Sequence, residues 1–321
     1  MITPAAHHAL PLLSDCAHST GHRSPGQSEP ASASLLLQAG QDRRIADIMR
    51  AYAMNGAGNA FIVLDRRDAS GPAAYGESGI AALLDVHPFD QLIVLDPSSD
   101  ADADLRVWNR DGGEVGACGN GTRAAAWLLF EDGAKPQLSF TSSGGPMRAQ
   151  RLSDGAAEVD LGPARLDWRD IPLSLPMDTM RLDFGVNLPD GGRLEGPGAV
   201  SMGNPHVVFA VDDVLALPLA EIGPCIEHDP LFPDRVNAGF AQVRDRDDIR
   251  LKVFERGAGL TLACGTGACA ALVALHRQGL VNREAVIEAD GGKLPVRWDT
   301  EGHVHLSGPV VLERELDLRG L

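Results

Sequence analysis

The sequence predicts an α/β protein made of two similar domains, and three observations predict it. The chain has 321 residues, room for two cores at about 150 residues per domain. Short runs rich in apolar and β-branched residues dominate, and only two helical stretches stand out. Sliding the chain by 146 positions lays residues 105–129 over 251–275 without a gap and makes 11 of 25 positions identical, where chance gives roughly two. A repeat of that quality is one strand–loop–helix module present twice.

Taken in order, residues 1–48 stand apart. Residues 4–34 are rich in Ala, Ser, His and Pro without a sustained period, and the segment reads as a disordered extension. It lacks the basic start and apolar stretch of a signal peptide. A short helix over 35–49 is compatible with the pattern, and Met49 is a candidate translation start. From Tyr52 the pattern becomes β-rich, with strands expected at 61–64, 92–95, 105–108, 137–140 and 158–161. The theme returns at 207–211, 240–243, 249–254, 285–288 and 294–298, with hairpin turns at 245–248 and 290–292. Helices are expected at 122–131 and 266–278, stopped by Gly133 and Gly279.

Composition narrows the function. There are 28 Lys+Arg against 44 Asp+Glu, a formal net charge of −16, which argues against a nucleic-acid or anionic-membrane surface. No apolar run approaches the ~20 residues of a membrane helix. Five cysteines, an odd number without zinc spacing, fit a reducing cytoplasm better than a disulfide scaffold. No metal site is expected. The three lysines leave little room for a Schiff base, so pyridoxal phosphate is not expected either.

The repeat preserves Cys118-Gly-Asn-Gly121 and Cys264-Gly-Thr-Gly267, each where a strand and loop feed a helix. A helix start offers unpaired N–H groups and about half a positive charge. A thiol placed there is expected to have its pKa lowered from about 8.5, while flanking glycines let an anion approach the backbone. Two such modules facing each other would set one sulfur on each side of a bound carboxylate-bearing molecule. That arrangement suits inversion of a stereocentre, in which a thiolate removes a proton from one face and a thiol delivers one to the other.

At these residues the chain resembles the diaminopimelate epimerase family. The resemblance runs from about Met49 to the C-terminus, through Met54-Asn-Gly-Ala-Gly-Asn59, Ala117-Cys-Gly-Asn-Gly121, Gly203-Asn-Pro-His206, Val236-Asn-Ala-Gly-Phe240, Glu255-Arg-Gly-Ala-Gly259 and Ala263-Cys-Gly-Thr-Gly-Ala-Cys269. It implies an isomerase of lysine and peptidoglycan-precursor synthesis, interconverting LL- and meso-diaminopimelate without a cofactor, cytoplasmic and homodimeric. The implied catalytic pair is Cys118 and Cys264. Asn59, Gln91, Asn109, Asn204 and Asn237 are implied to contact the substrate's carboxylate and ammonium groups. Glu255 and Arg256 would hold its distal end, and Gly119, Asn120, Gly265 and Thr266 would add hydrogen bonds. His206 and Glu255 match positions that tune thiol protonation.

The implied fold is two pseudo-symmetric domains, each a curled, mostly antiparallel sheet around a central helix, with the active site in the cleft between them. Expected boundaries are 49–163 with 310–321 for the first domain and 164–309 for the second, the last strand returning to the first domain. Asn55 and Ala60 depart from the family, which usually has His and Asp there. Three rivals remain: a same-fold epimerase for another amino acid such as hydroxyproline, a thiol redox protein using the same cysteines, and an amino-acid-binding protein.

Overall fold

The computed structural model describes residues 50–69, 77–116, 118–133 and 135–318, so the expectations for residues 1–49 lie outside the described residues. The first half runs β1 (Arg50–Gly56), β2 (Asn59–Asp65), α1 (Glu77–Val86), β3 (Gln91–Asp96), β4 (Ala103–Asn109) and β5 (Glu114–Val115). It continues with α2 (Gly119–Glu131), β6 (Gln137–Thr141), β7 (Met147–Arg151) and β8 (Ala157–Pro163). A small hairpin of β9 (Gly185–Asn187) and β10 (Arg193–Glu195) follows.

The second half repeats the order with β11 (Gly198–Ser201), β12 (Pro205–Ala210), α3 (Leu219–Glu227), β13 (Asn237–Asp245), β14 (Asp248–Glu255) and β15 (Gly259–Thr261). Then come α4 (Gly265–Arg277), β16 (Glu284–Ala289), β17 (Gly292–Trp298) and β18 (His303–Leu306), and finally β19 (Val311–Leu316).

Strand pairing repeats as faithfully as the order. In the first half β1 pairs antiparallel with β2, β2 parallel with β3, β3 antiparallel with β4, and β4 parallel with β6. β6, β7 and β8 then form an antiparallel meander. In the second half β11 to β14, β16, β17 and β18 pair in the same senses. The short β5 and β15 flank β4 and β14 equivalently. The halves join where β8 lies antiparallel to β18, Asp160 facing His305 and Val159 facing Leu306. β19 returns to the start of the described chain and pairs antiparallel with β1.

Each half curls around its own helix. Eleven of the 13 residues of α2 and ten of the 13 of α4 are buried, so both helices are covered on every face rather than along one stripe. Small residues make this possible: Ala124, Ala125 and Ala126 in α2 and Ala268, Ala270, Ala271 and Ala274 in α4 let strands approach closely. Leu129 and Phe130, and Leu272 and Leu275, fill the remaining space, each worth about 1.5–3 kcal/mol of burial. Gly133 and Gly279 follow the helices at φ 82° and 77°, the left-handed exit that glycine adopts without strain.

The ten expected strands fall within observed ones, except that Val211 lies beyond β12. Both hairpin turns are present, with Asp245 opposite Asp248 and Ala289 opposite Gly292. Helices α1 and α3 were not expected from the sequence. α3 carries Gly223 and Pro224 in its interior, both breakers by propensity, yet Leu219, Ile222 and Ile226 bury one face of it. Tertiary packing outweighs propensity there.

Candidate active site

The two repeated helices begin on the two repeated cysteines. Cys118 is the N-cap of α2 with φ −142° and ψ 110°, and Cys264 is the N-cap of α4 with φ −128° and ψ 111°. Each sulfur accepts a hydrogen bond from the backbone N–H three residues on, Gly121 N and Gly267 N, both at 3.3 Å. A thiol thus takes the place of the usual capping oxygen.

The glycines of the motif have distinct jobs. A Cβ on Gly119 would lie 3.1 Å from Leu306 and 3.2 Å from Leu161, and one on Gly265 would lie 3.0 Å from Leu306 and 3.1 Å from the Asn120 side chain. The starts of both helices therefore meet against Leu306, at the β8–β18 junction. A Cβ on Gly121 would reach 2.5 Å from Ile93, and one on Gly267 would sit 3.0 Å from Val253 and 3.2 Å from the Cys264 sulfur. These two glycines seat each helix on its sheet and leave room for the sulfur.

Polar side chains at the two helix starts pair in matched fashion across the repeat. Asn120 Nδ2 donates to Asn59 Oδ1 at 2.7 Å, and in the other half Asn204 Nδ2 donates to Thr266 Oγ1 at 3.3 Å. Asn120 and Thr266 are repeat partners, as are Asn59 and Asn204 with one residue of slip. Gln91 Nε2 donates to Asn109 Oδ1 at 2.9 Å, across facing positions of β3 and β4. Their repeat partners are Asn237 and Glu255. The buried Asn237 donates to Pro205 O at 2.8 Å and accepts from Arg256 N at 2.9 Å, holding the 255–259 loop to β12.

Glu255 accepts from the Thr261 hydroxyl at 2.5 Å, and its charge acts on both Cys118 and Cys264. Arg256 Nη1 donates to Asp234 O at 3.0 Å. His206 is buried, with Nε2 at 3.0 Å from Asn204 Oδ1 and 3.2 Å from Thr266 Oγ1. Burial, helped by the Arg256 charge, lowers its pKa to about 3, so the ring is neutral.

The expected lowering of the thiol pKa values is corrected. Burial pushes the Cys118 thiol up, with the Glu255 carboxylate adding to the shift, and it pushes Cys264 well above its ordinary value. The helix-start N–H groups and the Thr266 hydroxyl pull downwards without winning. Cys264 is buried and Cys118 partly so, and a sulfur shielded from water regains only one or two donors at the helix start.

The two departures from the family pattern have structural counterparts. Asn55 Oδ1 accepts from Gly58 N at 3.0 Å, capping the turn that leads to Asn59. Asp90 Oδ2 accepts from Ala60 N at 2.9 Å, so a carboxylate still reaches that loop, from the start of β3. Two further residues were not singled out from sequence. Glu227, buried at the end of α3, accepts from Gly257 N at 2.8 Å and so holds the loop that carries Arg256. Arg123, in α2, donates through Nη1 to Asn120 Oδ1 at 3.0 Å. Glu227 left no local signal, whereas Arg123 stands where the repeat has Cys269.

The family model for diaminopimelate epimerase matches this chain twice, over residues 51–166 and 198–313. The chain belongs to the diaminopimelate epimerase family. It is 50% identical over 266 residues to the diaminopimelate epimerase of Phenylobacterium zucineum, covering 83% of this chain and 96% of that protein. It is 46% identical over 269 residues to the diaminopimelate epimerase of Acidiphilium cryptum, covering 82% and 95%. A hydroxyproline epimerase from Agrobacterium vitis shares the fold, with a TM-score of 0.58 at 16% identity over 84% of this chain and 91% of that one. The two family matches follow the internal repeat, and both cysteines fall inside them. Among the described residues no helix is long and apolar enough to cross a membrane.

Proposed function

We propose that this family member interconverts LL- and meso-diaminopimelate, with Cys118 and Cys264 as the proton-transferring pair. One observation carries the reading. Two repeat-related helix starts, each capped by a cysteine, meet against Leu306, and the Glu255 charge acts on both sulfurs. Substrate enters between the halves, its α-carbon between the sulfurs. The thiolate of one cysteine takes the α-proton: the C–H bond breaks, an S–H bond forms, and the electron pair stays on the α-carbon and its carboxylate. The other thiol gives its proton to the opposite face, so a new C–H bond forms and that sulfur becomes the thiolate. Helix-start N–H groups stabilise the charge that develops on the carboxylate.

Because burial disfavours a bare thiolate, the ammonium group of the bound substrate is the natural offset for it, and closure of the cleft strengthens that attraction. Asn59, Gln91, Asn109, Gly119, Asn120, Asn204, Asn237, Gly265 and Thr266 hold the polar groups of the substrate. Glu255 and Arg256 meet its far amino-acid end, where opposite charges match a zwitterion. His206 and Glu255 set the protonation of the thiols. No pyridoxal phosphate takes part in this scheme. The finer expectations of a cytoplasmic homodimer, with domains at 49–163 plus 310–321 and 164–309, rest on the family resemblance and are part of the same proposal.

The test is turnover of LL-diaminopimelate in deuterated water. We expect deuterium at the α-carbon of the product, and Cys118→Ala and Cys264→Ala to lose at least a thousandfold in epimerisation, consistent with removal of an essential acid or base. Unlabelled product, or wild-type turnover by either variant, would overturn the proposal. Turnover of trans-4-hydroxyproline in place of diaminopimelate would reassign the substrate and keep the chemistry.

A further inference from the structure

Glu227 is the last residue of α3 and is buried there. A carboxylate in that place gains nothing for the helix itself. The C-terminal end of a helix carries partial negative charge, and burial removes the water that would steady the group. What steadies it comes from two loops. Glu227 Oε1 accepts from Gly257 N at 2.8 Å and from Arg235 Nη1 at 3.4 Å. One oxygen therefore ties both the 255–259 turn and the chain leading into β13 to the end of α3.

The two segments meet again at Arg256. Its Nη1 donates to Asp234 O at 3.0 Å, and its backbone N–H donates to Asn237 Oδ1 at 2.9 Å. The peptide between Asp234 and Arg235 is pinned at both ends, because Arg235 N also donates to Phe232 O at 2.8 Å. Arg235 takes φ 59° in this arrangement, a backbone that a non-glycine residue keeps only where its surroundings enforce it. Its ion pair with Glu227 is one such constraint. The carboxylate thus fixes the backbone that carries Arg256 and the carbonyl that aims the guanidinium.

The repeat offers a contrast. Residues 109–113 form the equivalent turn with the same backbone bond, Gly112 N to Asn109 O at 3.0 Å against Ala258 N to Glu255 O at 3.1 Å. Arg110 stands where the second half has Arg256. Among the described residues its side chain has no hydrogen-bond or ion-pair partner. The thiol caps are built alike in both halves, yet only one of the two arginine turns is braced. Paired sulfurs need both halves equally, whereas a long substrate has a single far end and needs a single brace.

We infer that Glu227, with Arg235 as its partner, is a positioning residue that holds Arg256 ready for the far carboxylate of the substrate. The inference rests on the reading above, in which Arg256 meets the far amino-acid end. It makes the second half of the chain the one that selects substrates with two charged ends. The far end does not change as the proton moves, so holding it binds ground state and transition state alike. Loss of the brace therefore shows in KM and leaves kcat nearly alone.

The test joins steady-state kinetics on LL-diaminopimelate to backbone amide exchange of the full-length, substrate-free protein, followed by mass spectrometry. We expect Glu227→Ala to raise KM about tenfold, the scale of one lost hydrogen bond to a charged group, with kcat within about threefold of wild type. Glu227→Gln keeps an acceptor for Gly257 N–H and loses the charge that meets Arg235, so its KM should rise about threefold. Peptides covering 255–259 should exchange faster in Glu227→Ala, with those of α2 unmoved. Melting temperatures check that the variants fold, and if Glu227→Ala does not, the Gln variant decides on KM.

A lowered kcat with KM unmoved, which a loss of stability alone would give, would overturn the inference. Unchanged amide exchange across 255–259 in the folded Ala variant would do the same. If exchange there quickens while the wild type leaves LL-diaminopimelate unturned, the substrate reading fails and the brace on Arg256 stands. If KM and exchange both stay at their wild-type values while both Cys→Ala variants are dead, the reverse is true.

Discussion

The Thr266 hydroxyl lies 3.5 Å from the Cys264 sulfur and closes a relay that begins on His206. Thr266 Oγ1 accepts from Asn204 Nδ2, with His206 Nε2 at 3.2 Å, so its own hydrogen is left to point at the sulfur. This donor lowers the cost of a thiolate at Cys264. Thr266→Val should therefore slow turnover about tenfold to a hundredfold, the scale of one lost hydrogen bond to a charged group, with Thr266→Ser close to wild type. A Val variant as fast as the Ser variant would remove the relay from the chemistry. The buried, neutral His206 has a pH signature. Its pKa of about 3 in the folded protein lies below the ordinary 6.5, so the unfolded chain binds the extra proton between those values. That contribution to stability is present above about pH 6.5 and is lost as pH falls towards 3. Urea unfolding at pH 6.5 and pH 4 should show a larger loss for the wild type than for His206→Gln, and equal losses would contradict it.

At the scale of elements, the turn of the β16–β17 hairpin holds the Asn59 loop in place. Gly291 lies so close to Ala57 and Gly58 that a Cβ there would collide with the Ala57 carbonyl oxygen. Ala57 itself takes φ 54°, a left-handed backbone that a non-glycine residue adopts at some cost. Gly291→Ala should destabilise the protein by about 1–3 kcal/mol, as overpacking does. It should also cut turnover by displacing Asn59, measured by urea unfolding together with the deuterium-exchange assay. Unchanged values of both would show that the loop tolerates the shift.

Much at this scale was legible beforehand. The repeat located α2, α4 and both cysteine caps, because Cys-Gly-x-Gly is local information, and the helix stops at Gly133 and Gly279 are equally local. α3 was not legible, since Gly223 and Pro224 mask an apolar face that only the neighbouring strands explain. The direction of the thiol shifts was misread for a related reason. A helix start is visible in sequence, but the loss of water around a sulfur belongs to the assembled fold. Arg123 had left a trace as the one charged residue facing Cys269 in the repeat.

Across the whole molecule, the β8–β18 junction joins acids of the first half to bases of the second. Glu158 pairs with Arg297 at 2.8 Å, and Asp160 pairs with His303 at 2.9 Å. His305 adds a contact to Asp299 within its own half at 2.9 Å. The Asp160 hydrogen bond raises the His303 pKa above its ordinary value. The pair therefore contributes fully below about pH 6.5 and is lost as pH rises through the raised folded value. The pair is partly exposed, which keeps the effect small and salt-sensitive. Urea midpoints should fall between pH 6 and pH 8.5 at low salt, and His303→Gln should flatten that fall; an identical slope in the variant would show that the junction does not titrate.

The placement of β19 has a consequence for biosynthesis. Val311–Leu316 leaves the ribosome long after β1, yet it zips onto that strand. The nascent polypeptide can finish its second half while its first half still carries one bare strand edge. A chain that stops before Val311 should clump rather than act as a slightly weaker enzyme.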